Sequence, residues 1–369
     1  MTQLLNMPPT QLTGRLLDVL EDIISNLEIH PDFSIRHPNY KPLELPRDVV
    51  ERFQKLPEQM QQKYMSLQLR SFLYGIYYNG YLQNILAPNA DENRLLLDLE
   101  NNTFLGVNLA FYQQLHESNS GEGYFDPGWA VIKEEEDGYL VVKKGALRLH
   151  IYPDKHLQST QKSATVGEMV AIRLPKNVVQ NGFYMAVGNA GIHSHNDLEE
   201  QEQLTRIYFN FTPTGAVEVM RGLTQQLNAI ALPFTFKVLY NPGDYKRYDA
   251  GVLYFDKKNY PAVRKVLELV YQENKSHFVS EIPLFTKQLA PGLGLAEEPD
   301  QKFGTQESFG MNRCQIVANG LLESWYQGNN STVGKMKAIL GEFSKLGINI
   351  QQPYLNADSE EIYEFMESC

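Results

Sequence analysis

Side-chain polarity alternates strictly along three short segments of this chain, and that alternation constrains the fold more than any other feature. The segments span residues 147–152, 205–211 and 234–238. Successive side chains of a β-strand point to opposite faces, so each segment predicts a strand with one apolar and one polar face. The predicted polar faces carry Arg148, His150, Tyr152, Arg206, Tyr208, Asn210, Thr235 and Lys237.

The polar faces of these strands have an unusual composition. Most antiparallel sheets turn a polar face to solvent, and a solvated face is the simplest interpretation. However, Tyr208 and Asn210 stand where Thr, Lys or Glu are usual, and the three segments contain no acid, although the chain has 44 acidic residues against 33 Lys and Arg. If the strands share one sheet in register, we expect Arg206, Lys237 and His150 to converge on a functional surface.

Two kinds of periodicity divide the chain near residue 120. Before it, apolar residues recur at helical spacing and predict a helical subdomain over residues 1–120. After it, short alternating segments predict a run of strands, with helices inserted late, over residues 121–369. This order favours an α+β fold, a mostly antiparallel sheet flanked by helices. The predicted strands are 129–135, 139–144, 147–152, 169–174, 183–187, 205–211, 234–240 and 250–255.

The predicted helices cover residues 13–27, 48–55, 57–82, 108–116, 213–229, 260–273, 309–326 and 332–346. The third of these is rich in aromatic side chains, including Tyr74, Tyr77 and Tyr78. A stripe of rings on a helix is usually part of a core, because rings dominate core burial. We therefore interpret this stripe as packing and not as a platform for stacked bases.

Composition excludes several classes of function. The net charge of −11 opposes general nucleic-acid binding, which needs clustered cations. With only two cysteines, Cys314 and Cys369, no disulfide framework or cysteine metal site can form.

The stretch around His193 and His195 lacks regular ligand spacing, so we expect an exposed polar loop and no metal there. No apolar run reaches the roughly 18 residues that span a membrane and no signal-peptide pattern is present, so we expect a cytoplasmic protein, with export by a specialised system left open.

A long loop is predicted over residues 285–299, and the chain then leads to a helix that begins near Ser308. Loops longer than about 12 residues are uncommon unless they serve a site. Glycines in this loop let backbone N–H groups turn toward a ligand, and the start of the helix adds partial positive charge. The stretch therefore predicts an anion site. The alternative is a long ordered connection with a Gly–Pro turn.

Five motifs, taken as an ordered set, resemble the HopA-type effector family. That family is named after a type III effector of a plant pathogen, and many of its members are ordinary bacterial proteins. The resemblance covers most of residues 120–350. The motifs are Thr205-Arg-Ile-Tyr-Phe-Asn-Phe-Thr-Pro213, Phe236-Lys-Val-Leu-Tyr-Asn-Pro242, Arg247-Tyr-Asp-Ala-Gly-Val-Leu-Tyr254, Phe285-Thr-Lys-Gln-Leu-Ala-Pro-Gly292 and Glu307-Ser-Phe-Gly-Met-Asn-Arg313.

The resemblance implies an activity, because relatives serve as the phosphoserine/phosphothreonine lyase components of split lanthipeptide and thioamide-peptide synthetases. Such a lyase removes phosphate from a phosphorylated precursor peptide by β-elimination, without a cofactor, and leaves a dehydroamino acid. No Walker motif or kinase signature is present, so a separate kinase would phosphorylate the peptide. The alternative is a non-catalytic, effector-like protein that binds a phosphorylated or acidic peptide or partner protein.

β-Elimination needs a base, stabilisation of the developing enolate and a cradle for the leaving phosphate. Under the resemblance, Lys237 is the base, because burial or neighbouring cations can lower the pKa of a lysine. His150 protonates the leaving oxygen, with His156 as the competing choice. Tyr208 and Asn210 donate hydrogen bonds to the peptide carbonyl.

The implied phosphate cradle consists of arginine and lysine side chains. Arginine presents paired donors in one plane, which matches phosphate oxygens. Asp249 is expected to orient Arg247 or Lys237, and Ser308 to cap the helix whose N–H groups point at the phosphate. The cradle residues are Arg206, Arg313, Lys287 and Arg247.

Overall fold

Helices and strands were assigned in a computed structural model that describes residues 14–90, 97–98, 103–104, 106–192, 203–305 and 307–366. The described helices are α1 (Gly14–Asn26), α2 (Arg47–Phe53), α3 (Glu58–Leu73), α4 (Tyr81–Ile85), α5 (Leu109–Ser118), α6 (Pro153–His156), α7 (Pro213–Ala229), α8 (Tyr260–Asn274), α9 (Phe309–Tyr326) and α10 (Thr332–Lys345). A π-helical segment, Tyr74–Tyr78, continues α3. None of the described helices combines the length and the apolar composition needed to cross a membrane.

The described strands form four antiparallel sheets. The largest has seven strands in the order β10-β11-β13-β14-β12-β16-β15, and a second has four in the order β8-β7-β6-β9. The small sheets are β1-β2-β3 and β4-β5. The strands are β1 (Glu28–Ile29), β2 (Ile35–His37), β3 (Tyr40–Leu43), β4 (Leu97–Asp98), β5 (Thr103–Phe104), β6 (Tyr124–Glu134), β7 (Leu140–Lys144), β8 (Leu147–Ile151), β9 (Met169–Leu174), β10 (Asn177–Gln180), β11 (Phe183–Val187), β12 (Leu204–Phe209), β13 (Thr235–Leu239), β14 (Gly251–Asp256), β15 (Lys287–Ala290) and β16 (Leu293–Glu297).

The register of the central strands decides which residues share a face of the large sheet. Arg206 of β12 lies opposite Tyr254 of β14. Tyr208 of β12 and Lys237 of β13 both lie opposite Val252 of β14. Directly paired residues point to the same face, so these side chains project together from three adjacent strands.

Helices cover both faces of the large sheet, which confirms the predicted α+β architecture. On the polar face, the ring of Phe309 in α9 lies 6.4 Å from that of Tyr208, centroid to centroid. On the apolar face, Phe209 lies 6.4 Å from Phe278, which contacts Tyr271 of α8 at 4.6 Å. Burial of these apolar surfaces is the main stabilising contribution to the fold.

The four-stranded sheet has a core of its own, separate from that of the large sheet. Trp129, Val142 and Val170 are among its buried residues. The large core instead combines the seven-stranded sheet with helices from both halves of the chain, including residues of α1 and α3. The predicted division of the chain at residue 120 stays a prediction.

Most of the predicted elements are confirmed, and α9 begins and ends at the predicted residues 309 and 326. Two predictions are wrong. The N-terminal third is not all helical, because β1, β2 and β3 form a small sheet there. The predicted loop over 285–299 contains the hairpin β15–β16, turned by Gly292 at φ 76°, where a Cβ atom would lie 2.5 Å from the Val279 carbonyl oxygen. The expected loop at His193 and His195 lies outside the described residues.

A buried carboxylate ties the segment 353–366 to the sheet. Glu297, the last residue of β16, is fully buried, and both of its oxygens are occupied. Its Oε1 lies 2.8 Å from Lys257 Nζ. The other contacts are hydrogen bonds from Ser359 Oγ at 2.8 Å, Tyr363 Oη at 3.0 Å and the Asn356 backbone N–H at 2.9 Å.

We expect Glu297→Ala to lower the free energy of unfolding by about 3–5 kcal/mol, because it leaves a mostly buried lysine without its counter-charge. Urea denaturation followed by circular dichroism measures the change. Glu360→Ala, an exposed glutamate of the same segment, is the matched control and should stay within about 0.5 kcal/mol of the unmodified protein. Equal stabilities for the two variants would show that the Glu297 network does not hold the segment.

Candidate functional site

A cavity of about 490 Å³ opens on the polar face of the large sheet. Its lining includes residues of strands β12, β13 and β14, the adjoining ends of β10 and β11, helix α3 with the π-helical segment, and the start of α9. Among the described residues, its charged lining is more basic than acidic, although the chain as a whole is acidic. The cations are Arg70, Arg206, Lys237, Arg247 and Lys302, and the acids are Asp249, Glu298 and Glu307.

Arg206 and Lys237, two of the predicted site residues, both lie over the ring of Tyr254. The guanidinium carbon of Arg206 lies 5.0 Å from the centroid of Tyr254, and Lys237 Nζ lies 5.5 Å from the same centroid. Lys237 also lies 4.5 Å from the ring of Phe183. The negative faces of these rings attract both cations and hold them together in the cavity lining.

Arg206 is a buried cation that forms an ion pair with a carboxylate. Its side chain is 9% exposed and forms an ion pair with Glu298 through Nη2. Its Nε is buried without a hydrogen-bond partner in the described part of the chain. Burial lowers the pKa of Arg206, but the neighbouring Tyr254 and Glu298 raise it by more, so its pKa lies well above the usual value and the charge is permanent.

Asp249 holds Arg247 in the cavity wall. Its Oδ1 accepts from Arg247 Nε at 2.5 Å, and its Oδ2 accepts from Nη2 at 2.9 Å. The Tyr74 hydroxyl also donates to Asp249 Oδ2, at 3.3 Å. The sequence left open whether Asp249 orients Arg247 or Lys237. This geometry corresponds to the first of these roles.

The start of α9 forms another part of the wall. Ser308 is its N-cap, because Ser308 Oγ accepts the backbone N–H of Met311 at 3.3 Å. Gly310 lets the helix approach Tyr78 closely, since a Cβ atom there would lie 2.3 Å from the tyrosine ring. The helix therefore brings its N-terminus, which favours anions, to the cavity.

Tyr208 presents a buried phenol to the same cavity. Only 3% of the residue is exposed, and its ring packs edge-on against Tyr78 with the centroids 6.3 Å apart. Burial raises the pKa of both hydroxyls well above the usual value. Both groups are therefore protonated at neutral pH and can donate hydrogen bonds.

The structure does not bring His150 to this cavity. His150 lies on β8 of the separate four-stranded sheet, where its Nδ1 contacts Glu135 Oε2 at 3.0 Å and its side chain is 61% exposed. The expected convergence with Arg206 and Lys237 is wrong, because the strands belong to different sheets. His156, the competing choice, lies at the end of α6, and its Nδ1 is 3.0 Å from the Tyr152 carbonyl oxygen.

Asn210 and Lys287 also lie outside the cavity lining. Asn210 follows β12, where the chain leaves the sheet, and its Nδ2 donates to the Glu281 carbonyl at 2.9 Å. Lys287 of β15 pairs with Leu295, which pairs with Ile207, so it projects to the face opposite Arg206. There it forms an ion pair with Glu361.

Arg313 is a structural residue of α9 in this fold. Its guanidinium donates from Nε to the Pro353 carbonyl at 2.7 Å and from Nη2 to the Leu355 carbonyl at 2.9 Å. Burial lowers the pKa of Arg313 to about 10. The side chain thus fastens the segment 353–366 and does not line the cavity.

Sequence reasoning missed Arg70, Lys302 and Glu298, and it treated Tyr78 only as packing. Arg70, Tyr74 and Tyr78 recur every four residues, which places them on one face of a helical segment. Arg70, a basic residue within the aromatic stripe, was the sequence signal that could have identified this face as part of a site. Lys302 and Glu298 gave none, because they belong to the connection between β16 and α9. Within the described ranges, no group of His, Cys, Asp or Glu is arranged to hold a metal ion.

Two solved structures are similar to this chain. The structure of the effector protein from Pseudomonas syringae pv. tomato strain DC3000 has 16% identity and a TM-score of 0.41, and the alignment covers 79% of this chain and 94% of that one. The structure of the effector protein from Pseudomonas syringae pv. syringae strain 61 has 13% identity and a TM-score of 0.41, covering 80% and 98%. No curated protein matches the chain.

Residues 174–355 match the model of the HopA1 effector protein family. This region contains all seven strands of the large sheet and the helix α9. The resemblance of the chain to this family, which the motifs predicted, is thus confirmed over these residues.

Proposed function

We propose that the chain is a phosphoserine/phosphothreonine lyase that removes phosphate from a phosphorylated peptide by β-elimination. The observation that carries this proposal is the position of Arg206 and Lys237 against the single ring of Tyr254 in the lining of one cavity. One cation can hold a phosphate while the amine beside it reaches the adjacent carbon. The similarity of the motifs to those of lyase components gives further support.

The proposed step is a 1,2-elimination. The neutral amine of Lys237 takes the Cα proton of the phosphorylated residue. The electron pair of that bond forms the Cα=Cβ double bond, while the Cβ–O bond breaks and its electrons leave with the phosphate. The products are a dehydroamino acid, inorganic phosphate and protonated Lys237, which returns its proton to water.

Lys237 suits the role of base because of what surrounds its amine. Among the described residues, no carboxylate lies within 4.0 Å of Nζ to hold a proton there. The rings of Phe183 and Tyr254 flank the amine instead. The amine is therefore not engaged by an acid in the described structure and is available to a substrate beside Arg206.

The phosphate would bind between cations from three elements and the start of α9. Arg206 comes from β12, Arg70 from α3 and Lys302 from the connection that leads to α9. Arg247 is engaged by Asp249 and contributes charge and position more than hydrogen bonds to the ligand. Neutralising the phosphate makes it a better leaving group, so the step does not depend on a histidine acid.

Tyr208 would stabilise the substrate carbonyl as the Cα proton leaves. Removal of that proton moves negative charge onto the carbonyl oxygen, and a fixed, protonated donor stabilises the charge without reorganisation. The substrate would reach the protein already phosphorylated by a separate kinase.

We expect Lys237→Met to lower kcat for elimination by about 10²–10⁴-fold, because the step loses its base. Incubation with phosphoserine and phosphothreonine peptides, followed by mass spectrometry, measures the loss of phosphoric acid. Lys143→Met, which changes an exposed lysine of β7, is the matched control and should keep full turnover.

Two outcomes would contradict the proposal. Unchanged turnover in Lys237→Met would remove this residue from the mechanism. An unmodified protein that binds the phosphopeptides in calorimetry but never eliminates phosphate would favour the non-catalytic, peptide-binding alternative.

We expect Tyr208→Phe to lower kcat by about 10²-fold with little change in KM, because the hydroxyl acts on charge that develops in the transition state. The ring stays in place, so the melting temperature should remain close to that of the unmodified protein. Tyr326→Phe, at an exposed tyrosine of α9, is the control. If KM rises and kcat stays constant, Tyr208 binds the ground state only.

A further inference from the structure

The carboxylate of Glu298 occupies the place between two cations of the cavity. Its Oε2 forms the ion pair with Arg206, and its Oε1 lies 2.5 Å from Lys302 Nζ. The side chain of Glu298 is 17% exposed. The Glu298 carboxylate thus links Arg206 of β12 to Lys302 in the connection between β16 and α9. Each of its two oxygens contacts one of these cations.

The backbone of Glu298 is held firmly. Its N–H donates to the Leu204 carbonyl at 2.7 Å, and its own carbonyl accepts from Asn356 Nδ2 at 2.8 Å. The residue directly follows β16, whose register with β12 is continuous. The position of the carboxylate is therefore set by the fold, and only its side-chain torsions are free to move it.

An incoming anion has to compete with this carboxylate. A carboxylate ligand carries the same single charge as Glu298. Replacing the Glu298 carboxylate by such a ligand therefore gains little binding free energy. A phosphate monoester carries about −1.5 to −2 charges at pH 7 and three acceptor oxygens. It can therefore gain contacts with Arg206 and Lys302 that a carboxylate cannot match.

We propose that Glu298 is a specificity-determining residue, which holds the anion site against monoanionic ligands and yields it to a phosphate dianion. The inference rests on the proposed function in one respect, that the cavity receives the phosphoryl group of a peptide. It adds the means by which the site distinguishes a phosphoserine from an aspartate or glutamate in the same peptide. Discrimination of this kind depends on unfavourable binding of the carboxylate ligand as well as on favourable binding of the phosphate ligand.

The test compares two peptides that differ only in one residue, phosphoserine in the first and aspartate in the second. Isothermal titration calorimetry on the full chain measures both affinities, together with that of inorganic phosphate. We expect the unmodified protein to bind the phosphoserine peptide and to show no measurable binding of the aspartate peptide. We expect Glu298→Gln to bind inorganic phosphate and the phosphoserine peptide about tenfold more tightly, and to bind the aspartate peptide measurably, because two cations lose their internal partner.

Three further variants make the result specific. Glu342→Gln removes a comparably buried glutamate from a lysine pair on α10, and its affinities should equal those of the unmodified protein. Lys302→Gln should weaken phosphate binding without admitting the aspartate peptide. Glu298→Asp has a side chain one methylene shorter that cannot hold both cations, so it should shift affinities in the same direction as Glu298→Gln and serves if that variant fails to fold.

A folded Glu298→Gln protein whose phosphate affinity is unchanged, weaker or absent would overturn the inference. So would an unmodified protein that binds both peptides equally. The failure of the proposed function is recognised separately, because it requires that no elimination product appears in mass spectrometry whatever the affinities are.

Discussion

The position of one tyrosine ring between two cations underlies the whole site. Tyr254 can take this position only because β14 lies between β12 and β13 in fixed antiparallel register. A shift of one residue in β12 would turn Arg206 and Tyr208 to the apolar face and bring Ile207 into the cavity. The apolar residues on the opposite face prevent that shift, because Phe209 would then lose its buried contacts with Phe278. Core packing on one face of the sheet thus fixes which side chains line the cavity on the other face.

Buried cations are costly, and the cavity shows how this fold accommodates several of them. Arg247 is neutralised by Asp249, and Arg206 by Glu298, within hydrogen-bonded or ion-paired geometry. Lys237 is the exception, since rings and no acid surround its amine within the described structure. The cation that lacks a carboxylate is thus held in the cavity lining by contacts with rings instead of an ion pair.

Sequence alternation predicted the face that carries Arg206, Tyr208 and Lys237, because period-two patterning is a local property that register preserves. It could not predict that His150 belongs to another sheet, since alternation assigns a face but no neighbouring strand. Lys287 was misplaced for a related reason: its hairpin was taken for a loop. Arg313 could not be placed, because α9 is buried on nearly all sides and shows no polar stripe. The cap at Ser308 was predictable, since capping depends only on adjacent residues.

Glu297 and Glu298 are consecutive residues at the end of β16. Their side chains lie on opposite sides of the strand and contact different parts of the structure. Glu297 anchors the segment 353–366 beneath the sheet, whereas Glu298 reaches into the cavity. Asn356 bonds to both residues, through its backbone to the first carboxylate and through its side chain to the second carbonyl. The segment is therefore fastened to the strand end that carries a cavity-lining residue, although none of its own residues lines the cavity. A displacement of this segment would therefore reach Glu298 by two routes, the side chain of Asn356 and the peptide bond that follows Glu297.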